Sequence, residues 1–184
     1  MTEPTGGLVA SVADFEALAA EGTVAPVQDP AAVLHLDTAT RTTSRTTLGW
    51  LGSGEAALLV RDTRATELLR CPADQLPVAL ARLTSLAPVT PSERRERPLT
   101  DNPMETLLGD EPVARRAAFD ELDAHLAFTL GMRTEEEERL LAVVTGPSGT
   151  WLLEPRPDDG WSLRPVPSTE VYRRFCALVP LALS

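Results

Sequence analysis

The strongest constraint on this chain is that it matches itself. Displaced by 94 positions, Leu34 falls on Phe128, Leu36 on Leu130, Gly52 on Gly146, and Leu58 and Leu59 on Leu152 and Leu153. One added residue in the turn "RPDDG" moves the offset to 95; then Leu68 falls on Leu163, Pro72 on Pro167, Leu76 on Val171, Leu80 on Phe175 and Leu83 on Leu178. A glycine turn, a helix-entry proline and an apolar helical stripe keep one order in both halves. One such unit leaves sheet edges and one sheet face bare. Two units can join, edge to edge or face to face, about a pseudo-two-fold axis, which removes the edges and completes the core.

Each unit reads as four strands and a helix. In the first half "VLHLDTATR" is a strand, "RTTLGWL" its partner, and "EAALLVRD" an almost continuous apolar run suited to a strand covered on both faces. "ATELLRC" follows, and then a helix with Leu76, Ala79, Leu80 and Leu83 as its buried stripe. Asp74 is the expected N-cap, with Pro77 in the first turn. Ahead of this, Ser11 and Asp14 approximate a capping box, and Val12, Phe15, Leu18 and Ala19 make one apolar face ending at Gly22. The expected organisation is an N-terminal helix and linker over 1–30, a first repeat over 31–88, a proline-rich linker over 89–112 with a short helix at Met104–Leu108, and a helix plus second repeat over 113–184. The fold class is α+β: two pseudo-symmetric repeats, each an antiparallel four-stranded meander followed by a helix.

Charge and composition narrow the function. The formal net charge is −10, which opposes binding to nucleic acid and to an anionic membrane surface. All 17 basic residues are arginine, isoleucine is absent and Asn102 is the sole asparagine, a bias that points to a high-GC genome. No signal-peptide pattern or membrane-length apolar run appears, so a cytoplasmic protein is expected. Cys71 and Cys176 match no metal or redox spacing and are expected to be reduced thiols.

No residue set spells out a reaction. His35 and His125 lie near the first strand of each half, and Glu121 and Asp123 stand near His125, but neither histidine has convergent partners in a second cluster. "GSG" and "GPSG" sit between strands, not between a strand and a helix as a phosphate-binding loop requires. Catalytic, cofactor and metal residues are therefore expected to be none. Trp50, Trp151 and Trp161 read as sheet packing.

The run "LGWLGSGEAALLVRDTRATELLRCPADQLPVALARLTSLAP" resembles the central segment of the EspG-like, type VII secretion-associated proteins of actinobacteria. "GTWLLEPRPDDGWSLRPVPSTEVYRRFCALVP" is similar to that family's C-terminal counterpart, and the resemblance covers roughly residues 31–182. It implies a non-enzymatic, cofactor-free chaperone holding a helical secretion substrate soluble in the cytosol. The alternatives are a small-ligand-binding domain or enzyme with a pocket at the repeat interface, and an oligomeric scaffold; a homodimer is compatible with each.

Candidate partner-binding residues come from the turns after the first strand of each half. Arg41 and Arg45 flank one; Arg133 and Glu135, Glu136, Glu137 and Glu138 belong to the other. One turn carries hydroxyls and the other four consecutive glutamates, as expected if one end of the molecule meets the partner, and also as expected of a solvated loop that has drifted.

Overall fold

Alternation decides the first strand. Ala32, Leu34 and Leu36 are buried while His35 between them is exposed, the period-2 pattern of a strand with one face on a core. A computed structural model of the chain describes residues 7–8, 30–52, 54–61, 66–89, 95–134 and 136–182, with side chains described to residue 177. The helix expected from Ser11 lies outside these residues, as does Glu135.

In chain order the strands are β1 (Gly7–Leu8), β2 (Ala32–Ala39), β3 (Ser44–Gly52), β4 (Glu55–Arg61), β5 (Thr66–Pro72), β6 (Arg97–Leu99), β7 (Leu126–Arg133), β8 (Glu138–Gly146), β9 (Gly149–Pro155) and β10 (Trp161–Val166). The helices are α1 (Leu76–Leu83), α2 (Met104–Leu108), α3 (Pro112–Glu121) and α4 (Ser168–Ala182). All ten strands form one sheet in the order β1-β5-β4-β3-β2-β7-β8-β9-β10-β6. Every pairing described is antiparallel, so the chain is an α+β protein with a large antiparallel sheet. The centre is the β2–β7 pair, which runs from Val33 opposite Arg133 to Ala39 opposite Ala127. The edge strand β6 is three residues long, and a short edge offers little template for stray pairing.

Each sheet face has its own core. Helices α1 and α4 pack together on one face, where Leu76, Leu80, Val171 and Phe175 join Leu34, Leu36, Leu58, Phe128, Leu130 and Leu152. The Phe128 and Phe175 rings lie 6.0 Å apart at 47°. Helices α2 and α3 pack together on the other face, where Met104, Leu107 and Phe119 join Val144, Trp151, Leu153 and Leu163. Successive β9 residues Trp151 and Leu152 thus serve opposite cores, which is why β9 is a continuous buried run.

Two local expectations change. Asp74 is not the cap of α1: it sits in a 3-10 turn, Ala73–Gln75, and Gln75 occupies the cap position without a side-chain bond. Pro77, in the first turn of the helix, presets the backbone there without needing a donor. The proline-rich stretch does hold the short helix at Met104–Leu108, but it also holds β6, which pairs with β10. Pro98 is tolerated because β6 is an edge strand.

Leu80 and Phe175 are both fully buried in the first core, so Leu80→Ala and Phe175→Ala are each expected to cost about 2–5 kcal/mol. Val113→Ala, at a side chain 76% exposed, is the control and should melt like the parent. Urea denaturation measures all three, and equal midpoints for the core variants and the control would remove the helices from the core.

Candidate functional site

The β2–β3 turn is built by one threonine. Its backbone N–H reaches the Thr43 carbonyl at 2.8 Å, and its Oγ1 accepts from the N–H groups of Thr42 and Thr43 at 3.3 and 3.1 Å. That residue, Thr40, also lies 2.8 Å from Thr43 by their hydroxyl oxygens. Such a hydroxyl supplies the acceptor that a tight turn otherwise lacks. Thr134 builds the β7–β8 turn with the same bonds: 2.8 Å from its N–H to the Glu137 carbonyl, and 3.3 and 3.1 Å from the N–H groups of Glu136 and Glu137 to its Oγ1.

The two turns do not converge. Because β2 and β7 are antiparallel, the β2–β3 turn leaves beside the Ala39–Ala127 pair and the β7–β8 turn beside the Val33–Arg133 pair. At 3.3–3.4 Å per residue the two ends are about 20 Å apart. Arg41 and Arg45 therefore belong to one end of the molecule, and Arg133, Glu136, Glu137 and Glu138 to the other.

The hydroxyl-bearing end is concave. A cleft of about 460 Å³ opens between the β2–β3 turn, the end of α1 and the start of β7. Leu83, Leu126 and Ala39 contribute apolar surface, while Thr40, Thr42 and Thr43 form its hydroxyl rim with Arg45 beside them. Arg41 instead turns to α3, where it meets Asp120 at 2.9 Å, with both side chains about half exposed. Leu83, Leu126 and Asp120 carry no sequence signal for this role, since only the tertiary fold brings them to the turn.

The acidic end is more open. Glu137 accepts from Arg139 Nε at 2.8 Å, and Leu140 beside them is 74% exposed. A recess of about 110 Å³ lies next to it, lined by Leu130, Leu141, Arg174 and Ala177 among others.

The histidines remain apart. His35 Nε2 lies 3.4 Å from Asp37 Oδ1, which also accepts from Thr46 Oγ1 at 2.7 Å. His125 is exposed and its N–H bonds the Thr145 carbonyl. Among the described residues no three His, Cys, Asp or Glu side chains form a group that could hold a metal ion. Cys71 and Cys176 are both free; burial, reinforced by Asp74 and Glu55, pushes the Cys71 thiol pKa up. No helix among the described residues is long and apolar enough to cross a membrane.

A four-membered ionic lattice joins β9, β10 and α4. Arg164 donates to both oxygens of Glu154 at 2.9 Å and to Glu170 at 3.1 Å, and Arg174 lies 3.6 and 3.3 Å from the same two carboxylates. The bond from Arg164 is the main cause holding both Glu154 and Glu170 below the ordinary carboxylate range. Carboxylates lowered in the folded state stabilise it above their unfolded pKa, and that contribution is lost as pH falls through the folded value. Arg164→Gln should therefore be less stable than the parent near neutrality, with the gap narrowing as pH falls from about 6 towards 3. Denaturant midpoints across that range measure it, and a gap independent of pH would show that the lattice contributes only packing.

No protein-family profile matches the sequence and no curated protein matches it. Among solved structures, the fold is similar to the Mycobacterium tuberculosis type VII secretion system chaperone EspG5, solved in complex with the PE25–PPE41 dimer. The TM-score is 0.51 at 9% identity, covering 93% of this chain and 85% of that one. The likeness is one of fold.

Proposed function

We propose that this protein is a non-enzymatic, EspG-like chaperone that binds a secretion substrate protein through the cleft beneath its β2–β3 turn. The observation that carries the reading is that cleft: half-buried Leu83, with Leu126 and Ala39 largely covered, lines it together with the hydroxyls of Thr40, Thr42 and Thr43. A binding surface that must mask an apolar tip needs an apolar centre with a polar surround. The fold likeness to EspG5, a chaperone seen with a bound PE25–PPE41 dimer, supports the same reading. The partner it favours is a helical secretion substrate of PE–PPE type, held in the cytoplasm before export.

The same reading includes a duplication. The strand order from the centre outward is β2-β3-β4-β5-β1 on one side and β7-β8-β9-β10-β6 on the other. Each meander ends in a helix, α1 or α4, on the same sheet face. The matching Thr40 and Thr134 turns support two copies of one unit that later diverged in charge.

Co-expression tests the function. A PE–PPE pair should be recovered in soluble complex with the parent protein, and Leu83→Glu, which places a charge in the cleft, should abolish recovery. Reversing Glu136, Glu137 and Glu138 to Arg, about 20 Å away at the other end, should leave recovery intact. The charge-reversal variant should retain the parent's melting temperature; Leu83 also packs against the core, so Leu83→Glu is compared only as folded, soluble protein. Recovery lost on charge reversal but kept in Leu83→Glu would move the contact to the acidic end.

A further inference from the structure

We propose that the β2–β3 turn is a phosphorylation site, with Thr43 the acceptor for a serine/threonine protein kinase that selects arginine-flanked sequences. The observation is a register. The two turns share one backbone hydrogen-bond pattern, so Thr42, Thr43, Ser44 and Arg45 stand where Glu136, Glu137, Glu138 and Arg139 stand in the other. Three hydroxyls replace three carboxylates on a turn of the same shape. The acidic version shows that this shape accommodates negative charge at each position.

It also shows where the charge would be held. Glu137 meets Arg139 Nε at 2.8 Å, and Arg45 holds the same place relative to Thr43. Among the described residues Arg45 makes no ion pair. On the other side Arg41 is engaged with Asp120 through an exposed pair, the kind of contact worth little and readily exchanged. A phosphate carries about −1.5 to −2 charge at pH 7, against −1 for a glutamate, so it should draw both arginines. Thr40 stands beside this position: its Oγ1 accepts from two backbone N–H groups and lies 2.8 Å from the Thr43 hydroxyl. Thr42 and Thr43 are exposed, as a kinase requires.

The step balances simply. Thr43 Oγ1 attacks the γ-phosphorus of a nucleoside triphosphate; the new P–O bond forms as the bond to the leaving nucleoside diphosphate breaks. The hydroxyl proton passes to the kinase's base, and nothing is oxidised or reduced. The product turns the hydroxyl rim of the cleft acidic. Its consequence for partner capture rests on the function proposed above; the modification itself does not.

The full chain is incubated with an arginine-directed serine/threonine kinase and magnesium ATP, cleaved at acidic residues and mapped by tandem mass spectrometry. Phosphate is expected on Thr43 and is lost in Thr43→Val. The same phosphopeptide is expected in protein isolated from its own cells and absent after phosphatase treatment. A phosphorus NMR titration reads the pairing: Arg45→Gln should raise the second pKa of the phosphate. Incorporation unchanged by Thr43→Val, or a cell-derived protein without the phosphopeptide, overturns the proposal. Phosphate on Thr43 with unaltered substrate recovery leaves the site standing and removes the cleft from the binding surface.

Discussion

The rest of the molecule depends on the antiparallel pairing of β2 with β7. Seven residue pairs, from Val33–Arg133 to Ala39–Ala127, join two meanders into one ten-stranded sheet. Without that seam each meander would expose the full length of an apolar strand edge. With it, β2 and β7 become the most interior strands, and Leu34, Leu36, Phe128 and Leu130 sit beneath both α1 and α4. The two helices then cover one continuous core, which neither could close alone. The same seam fixes the site geometry, because antiparallel strands send their following turns out at opposite ends.

What the sequence made legible follows from what is local. Strand alternation, the continuous run in β4 and the leucine stripe of α1 are set by neighbours within a few residues, and they stand where periodicity places them. Leu80 and Phe175, aligned by the self-match alone, lie in one core. β6 was not legible: three residues around Pro98 carry no strand pattern, and they become extended only because β10 offers an open edge. Asp74 is not the cap because a 3-10 turn shifts the helix start by one residue, to Leu76. At the candidate site, the turn residues were visible, but not the distance between the turns. Nor could Leu83 and Leu126 be joined to Thr40, since the cleft draws on segments remote in sequence. The ionic lattice of Arg164 was invisible for the same reason, although its charges are plain in the chain.

The two sides of the sheet differ most where they correspond. Under the offsets of the self-match, Glu154, Arg164, Glu170 and Arg174 fall on Val60, Leu69, Gln75 and Ala79. On one side four charges bind β9, β10 and α4 together; on the other the place between β5 and α1 is a groove of about 140 Å³ lined by Leu58, Leu69, Val78 and Ala79 together with Arg70 and Arg82. A partly exposed ionic lattice adds little net stability, so its physical effect is to fill and polarise a surface that would otherwise be apolar.

The turns obey the same rule of one backbone and two chemistries. Thr40 and Thr134 hold equivalent loops, yet one loop presents hydroxyls beside a cleft of about 460 Å³ and the other carboxylates near a recess of about 110 Å³ beside exposed Leu140. A surface that recognises one end by apolar fill and hydroxyl contacts meets a charge of the wrong kind at the other, and desolvating unmatched carboxylates opposes that second contact. The matching backbone of the two turns therefore does not make their surfaces equivalent. The core shared by α1 and α4 holds both meanders rigidly, while differences at the turns and the helix–sheet grooves give the two ends unlike surfaces; under the function proposed above, only one end is matched to a partner.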